Sequence, residues 1–196
     1  MIAAVIPTRY HPPELGALLT VLLEDGVEPI VLRSEYYDHR LYHMWNIGVE
    51  EARAKGADYI AVLNDDVALP PGALQGLAAA LKLNPDVGVV YPNVQAPWGP
   101  LGSLDVERTT GTWGAGGMTG FCFMFRADLD IPFDETWGLW YGDDAFEEAV
   151  RASGKAVARV VGVPVRHSPS GSTSRDMGHW APIIAADQAR WAELHV

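Results

Sequence analysis

Tyr59-Ile60-Ala61-Val62-Leu63-Asn64-Asp65-Asp66-Val67 runs an apolar stretch directly into an amide and two carboxylates. The apolar part reads as a buried strand and the polar triplet as its end. In open α/β sheets, ligands bind outside the carboxyl ends of the strands. Two adjacent carboxylates there repel one another unless a cation or donor groups offset them. A divalent metal, Mg²⁺ or Mn²⁺, suits them, because hard cations take oxygen ligands and leave positions open for substrate phosphates. A solvated turn capping the next helix fits the same three residues equally well.

Upstream, Ile2 to Ile6 reads as a buried strand stopped by Pro7. Glu14 to Glu24 has helical spacing, with Leu15, Leu18, Leu19 and Leu22 on one face. Pro29 to Leu32 is strand-like, and Tyr42 to Lys55 predicts a helix closed by Gly56. Downstream, Pro70-Pro71 opens a helix carrying Leu74, Leu77, Leu81 and Leu83, which Asn84-Pro85 ends. Val87 to Tyr91 is the next strand. Short apolar strands alternating with amphipathic helices predict an α/β fold with an open, mostly parallel sheet flanked by helices.

Beyond Pro92 the periodicity weakens. Gln95 to Gly120 predicts a long loop, with room for one hairpin, of the kind that usually serves function. Gly120 to Phe125 and Ala156 to Val165 predict strands, Asp143 to Ser153 and Ala181 to Leu194 helices. With no repeats and no Ser/Pro linker, the expectation is one domain over 1–196: a half at about 1–92, a second at about 93–175, and a helical segment at about 176–196.

Of the 196 residues 48% are hydrophobic and 20% charged, an ordinary globular balance. Fourteen basic residues against twenty-five acidic ones leave a formal charge of -11. That field repels phosphate backbones, so no nucleic-acid binding is expected. The run Ile2 to Ile6 is too short for a signal peptide or a membrane span. No later run approaches ~20 apolar residues, so a cytoplasmic protein with no membrane insertion is expected. The single cysteine, Cys122, has no partner for an intrachain disulfide. Its neighbours Phe121, Phe123 and Phe125 suit a buried strand thiol.

Two further constellations carry chemistry. Gly142-Asp143-Asp144 follows the aromatic segment Trp137 to Tyr141 and opens a helix. Its carboxylates suit an N-cap or dipole partner, or a general base whose pKa the aromatic wall raises. His167 ends a strand, Val163 to Arg166, and precedes Ser168-Pro169-Ser170-Gly171-Ser172-Thr173. It suits a structural role, a third metal ligand or a phosphate contact. The Gly/Ser/Thr stretch suits either a loop or a backbone cradle for pyrophosphate.

The order of these elements resembles the inverting family-2 glycosyltransferases of the GT-A fold, over about residues 2 to 175. Val5-Ile6-Pro7-Thr8-Arg9 is similar to the family's first strand and nucleotide-contacting turn, and Asn46-Ile47-Gly48 to its Asn-X-Gly helix. Leu63-Asn64-Asp65-Asp66-Val67 resembles the Asp-X-Asp region, in the Asn-first form of rhamnosyltransferase-like members. Thr119-Gly120-Phe121-Cys122 resembles the strand beneath the acceptor site, and Phe133-Asp134-Glu135 the Phe-Asp-Glu turn. Gly142-Asp143-Asp144 falls on the Gly-Glu-Asp motif, with Asp143 replacing the Glu. His167 with Gly171-Ser172-Thr173 resembles the terminal histidine and its Gly-Ser stretch. Where the family often carries a base-contacting Asp after its second strand, this chain has Arg33, Ser34 and Glu35.

The resemblance implies a hexosyltransferase that takes a sugar from a UDP-, GDP- or dTDP-sugar and inverts its anomeric centre by direct displacement. It implies Asp144 as catalytic base and Asp66 with His167 as ligands of Mn²⁺ or Mg²⁺. Pro7, Thr8, Arg9, Ser34, Asn46, Asn64 and Asp65 would contact the donor; Trp113, Thr119, Gly120 and Asp143 would meet the acceptor. The acceptor would be a hydroxyl of a glycan, a protein or a small molecule. Trp98 and Trp113 suit sugar stacking or loop anchoring, and Trp180 and Trp191 are expected to pack. The exposed aromatic loop is compatible with an oligomer.

Three rivals weigh less. A sugar nucleotidyltransferase would need a glycine-rich loop after its first strand, and Thr8-Arg9-Tyr10-His11-Pro12-Pro13 has no glycine. A non-catalytic nucleotide-sugar or glycan-binding module would not need Asp66, Asp144 and His167 together. A metal-dependent phosphohydrolase would need more clustered carboxylates.

Overall fold

A computed structural model describes residues 1–111, 117–167 and 176–195. Its frame is a seven-stranded sheet built from β1 (Ile2–Thr8), β2 (Glu28–Arg33), β3 (Tyr59–Leu63), β5 (Val87–Asn93), β6 (Val106–Thr109), β7 (Cys122–Arg126) and β8 (Ala156–Pro164), in the order β2-β1-β3-β7-β5-β8-β6. β1 pairs in parallel with β2 and β3, and β5 in parallel with β8. β7 runs antiparallel between β3 and β5, and β6 antiparallel along the edge of β8. The sheet is therefore mostly parallel, as the alternating pattern predicts.

Successive residues of β1 serve opposite faces, as the two-residue strand period requires. Ala4 and Ile6 join the core with Leu15, Leu18 and Leu22 of α1 (Pro13–Glu24) and Leu74, Leu77 and Leu81 of α3 (Ala73–Leu83). Ala3 and Val5 join the other core, with Tyr42, Trp45 and Val49 of α2 (Leu41–Ala54) and Phe146 and Val150 of α4 (Gly142–Ala152). Each fully buried Leu, Ile or Phe contributes about 1.5–3 kcal/mol of transfer free energy, so this two-sided burial is what holds the helices to the sheet. Cys122 is wholly buried in β7, and burial pushes its thiol well above the ordinary range.

The elements depart from expectation in four places. β1 continues through Pro7 to Thr8, because β3 pairs only with Ile2 to Val5, so Pro7 meets a ladder on one side. Val106–Thr109 lies in the expected loop and forms an edge strand on β8 instead of a hairpin; its side chains are half-buried or exposed, so it lacks an apolar signature. A two-stranded ribbon pairs β4 (Val67–Ala68) with β9 (Arg166–His167), too short to show periodicity. The last helix, α5 (Met177–Leu194), starts before Ala181 and carries Pro182 in its second turn.

Candidate active site

The carboxyl ends of β1 and β3, the start of α4 and the β4–β9 ribbon border one cleft of about 580 Å³. From the first strand it is lined by Pro7, Thr8 and Arg9, and from the turn after the second by Ser34 and His39. Asn64, Asp65 and Asp66 come from the end of β3, Gly120 and Phe121 from the approach to β7. Asp143, Asp144 and His167 complete the acidic and imidazole groups. Eleven of the sequence-derived residues thus meet: Pro7, Thr8, Arg9, Ser34, Asn64, Asp65, Asp66, Gly120, Asp143, Asp144 and His167.

The β3 end is wired by hydrogen bonds. Thr8 Oγ1 donates to Asp65 Oδ2 at 2.6 Å, and the Asn64 N–H donates to the Phe121 carbonyl at 2.9 Å. Burial, then the neighbouring Asp66, raises Asp65 above the usual carboxylate range despite that hydroxyl. Asp65 is therefore largely committed to β1, while Asp66 points its own Oδ1 at His167 Nε2, 3.0 Å away. The His167 ring stacks on Phe121, 4.3 Å between centroids at 8°. Register in the ribbon, Val67 opposite His167, is what brings His167 beside the carboxylates that end β3.

The same Nε2 also lies 3.3 Å from Asn64 Nδ2. One ring nitrogen cannot donate to Asp66 and accept from Asn64 at once. Asp66 Oδ1 is buried and, apart from the close approach of His167 Nε2, has no hydrogen-bond partner among the described residues. A cation would give this oxygen and this nitrogen a common partner, so the donor set fits a divalent metal. Among the described residues no three His, Cys, Asp or Glu side chains converge to hold a metal, so substrate oxygens or water would have to complete the coordination.

At the start of α4, the two carboxylates are placed by a buried tyrosine. Tyr42 Oη donates to the Leu139 carbonyl at 2.8 Å and accepts the Gly142 N–H at 3.0 Å. Gly142 has no room for a side chain: a β-carbon would fall 2.2 Å from the Tyr42 ring. Tyr141 supplies the left-handed turn, φ 65°, that swings the chain into α4. Burial and the adjacent Asp144 push the Asp143 carboxyl up to about 7. Asp144 is itself buried.

Among the described residues Arg9 is the one arginine that lines the cleft. Its Nη2 donates to Asp176 at 2.8 Å, and its guanidinium lies 4.8 Å from the Trp180 ring and 5.2 Å from the Tyr10 ring. Its Nη1 is buried and has no hydrogen-bond partner among the described residues.

Two expected contacts lie elsewhere. Asn46 spends its amide on the 133–135 turn, donating to the Phe133 carbonyl at 3.0 Å and to Glu135 at 2.9 Å, and accepting the Phe133 N–H. It therefore joins two motifs of the family resemblance to each other instead of reaching the cleft. Thr119 is buried beside Gly120 and is not part of the lining. Trp113 and Gly171-Ser172-Thr173 lie outside the described residues.

Several lining residues escaped the sequence: His39, Tyr42, Trp45, Trp140 and Trp180. Trp180, expected only to pack, packs and lines the cleft together. Trp191 packs, stacked on Tyr141. The aromatic run before Gly142 was the available signal; nothing local marked Trp180. Trp98 lies outside the cleft lining, with the Arg166 guanidinium 4.6 Å over its ring. Buried Glu147, which accepts the Met118 N–H at 2.8 Å and pairs with Arg151, braces the segment leading to Gly120.

No protein-family model and no curated protein matches the sequence. Solved structures do match. A197 from STIV aligns at TM-score 0.56 and 16% identity, over 85% of each chain. S. aureus TarS 1–349 aligns at TM-score 0.59 and 12% identity, over 84% of this chain and 59% of that one. The same fragment in complex with UDP-GlcNAc aligns at TM-score 0.53 and 12% identity, over 84% of this chain and 57% of that one. A glycosyltransferase involved in the glycosylation of the major capsid of PBCV-1 aligns at TM-score 0.55 and 13% identity, over 90% of this chain and 98% of that one. The fold is that of a solved glycosyltransferase. At these identities the likeness is one of fold. Among the described residues no helix is long and apolar enough to cross a membrane.

Proposed function

We propose that the protein is a metal-dependent glycosyltransferase that moves a sugar from a nucleoside-diphosphate sugar to an acceptor hydroxyl with inversion. The observation that carries this reading is the meeting of two separate acidic sets in one cleft, Asp66 with His167 and Asp143 with Asp144. The fold likeness supports it, including the likeness to TarS bound to UDP-GlcNAc.

Asp66 and His167 would hold the divalent cation, which when bound supplies positive charge to a departing diphosphate. Arg9 Nη1, without a partner among the described residues, is a ready donor to a phosphate oxygen in the same cleft. Asp144 takes the proton of the acceptor hydroxyl while that oxygen attacks the anomeric carbon from the face opposite the leaving group. The bond from that carbon to the diphosphate oxygen breaks, and its electron pair leaves with the nucleotide. Holding donor and acceptor together turns a two-body encounter into an internal one. A second reading exchanges the two carboxylates: Asp143, with its pKa pushed up to about 7, is poised for proton transfer near neutrality.

The test is calorimetry of UDP, GDP and dTDP sugars with Mn²⁺, with Mg²⁺ and with chelator. Metal-dependent binding of one nucleotide class, weakened in Asp66→Ala, is expected. No nucleotide binding by folded protein in the presence of metal would overturn the proposal in favour of a glycan-binding module.

A further inference from the structure

The run Trp137-Gly138-Leu139-Trp140-Tyr141 precedes the α4 carboxylates and lines the cleft with its last three residues, and its three rings are used unequally. Trp137 is 4% exposed, 6.0 Å from the Trp191 ring, with the Arg190 guanidinium 4.0 Å over it. Tyr141 stacks on Trp191, 4.9 Å between centroids at 16°. Both are thus spent on α5. Trp140 is not: its one ring neighbour among the described residues is Tyr141, 6.4 Å away and edge-on. It lines the cleft and is 42% exposed.

The backbone under that indole is pinned. Asp187 of α5, only 4% exposed, accepts the N–H groups of Gly138 at 2.9 Å, Leu139 at 2.8 Å and Trp140 at 2.9 Å. Three donors on one buried carboxylate are charge-assisted bonds that hold a short loop in one conformation. A lone exposed tryptophan is ordinary on a protein surface. One that faces a cleft from a backbone anchored by a buried carboxylate is a preorganised contact.

The chemistry of the occupant follows from the surroundings. An indole face offers rigid apolar area at little entropic cost, which suits the apolar face of a pyranose ring. Four carboxylates, Asp65, Asp66, Asp143 and Asp144, line the same cleft, against one arginine among the described residues, Arg9, which shares its charge with Asp176. An anionic ring beside the Asp143–Asp144 pair would be repelled.

We propose that Trp140 is the stacking platform for a neutral sugar ring of the acceptor, and that Asp187 is the positioning residue that holds it there. Naming that sugar the acceptor rests on the glycosyltransferase reading; the binding itself does not.

Intrinsic fluorescence titrations with the methyl glycosides of glucose, galactose, mannose and N-acetylglucosamine, and with methyl glucuronide, test this on the full chain. At least one neutral glycoside is expected to shift the emission of the native protein, and the glucuronide to bind more weakly. Trp140→Ala, followed by calorimetry, should weaken the neutral sugar about tenfold or more, and Trp140→Phe by only a few-fold. Asp187→Asn should weaken sugar binding more than Mn²⁺-dependent binding of UDP. A sugar bound equally well by Trp140→Ala and Trp140→Phe, or no neutral glycoside bound at all, overturns the platform. Equal loss of sugar and nucleotide binding in Asp187→Asn reduces that residue to a structural one and overturns its positioning role. The nucleotide arm reads the glycosyltransferase proposal separately: sugar binding without nucleotide binding keeps the platform and removes the transferase.

Discussion

The carboxylate of Asp143 lies against the α-carbon of Gly120: a β-carbon built there would fall 2.1 Å from Asp143 Oδ2. The start of α4 and the approach to β7 therefore touch at the point where the cleft carries its acidic pair. In Gly120→Ala the mobile part is the carboxylate, so the fold should survive and Asp143 should be displaced. Misplacement by about 1 Å can cost about 100-fold in rate. The expected result is near-native thermal unfolding with turnover of the nucleotide sugar down by about that factor. Unchanged turnover would show that Asp143 need not sit where it does.

Tyr42 joins Leu139 to Gly142 through one hydroxyl in a fully packed environment. Tyr42→Phe leaves a buried N–H and a carbonyl without that partner and should cost about 1–3 kcal/mol of stability. Gly142→Ala forces a methyl group into the Tyr42 ring, which is buried in the core and cannot swing away. A loss of about 1–3 kcal/mol is expected from overpacking. Urea unfolding of both variants measures these losses, and two native-like midpoints would contradict the packing described.

Asp143 gives stability a pH dependence. Its folded pKa of about 7 exceeds the ordinary 3.8, so the unfolded chain releases this proton first as pH rises. Stability is therefore lost from about pH 4 upward, and the loss is complete once pH passes about 7. Asp143→Asn removes the penalty. Its melting temperature, compared with the native protein's without metal, should gain more at about pH 8 than at about pH 5. A difference that is constant with pH would contradict the raised carboxyl.

Asp144→Asn separates chemistry from donor binding. Loss of a general base costs about 10²–10⁴ in rate, while Mn²⁺-dependent UDP binding should survive in single-turnover and calorimetric assays. His167→Ala should do the reverse and weaken metal-dependent binding first. If Asp143→Asn stops transfer and Asp144→Asn does not, the two carboxylates exchange roles.

Much of this molecule is legible from local pattern. The leucine spacing of Glu14 to Glu24 and the apolar run of Tyr59 to Leu63 each need one buried face or two, and the matching elements form. Asn64-Asp65-Asp66 and Gly142-Asp143-Asp144 could be singled out because polar residues at element ends must answer to something other than the core. Their meeting in one cleft depended on the crossovers between strands, which no local spacing encodes.

The amino-acid sequence by itself determined which segments bury and which carboxylates end them, because burial and period are properties of neighbouring residues. Tertiary structure decided what each polar side chain faces. Asn46 turned from the cleft to Phe133 and Glu135, and Trp180 came to its wall from a helix more than a hundred residues beyond the β3 carboxylates. Val106–Thr109 became a strand only because β8 offered it an edge. Such choices are settled by partners distant in the chain, whose hydrogen bonds and packing exist only once the sheet has formed.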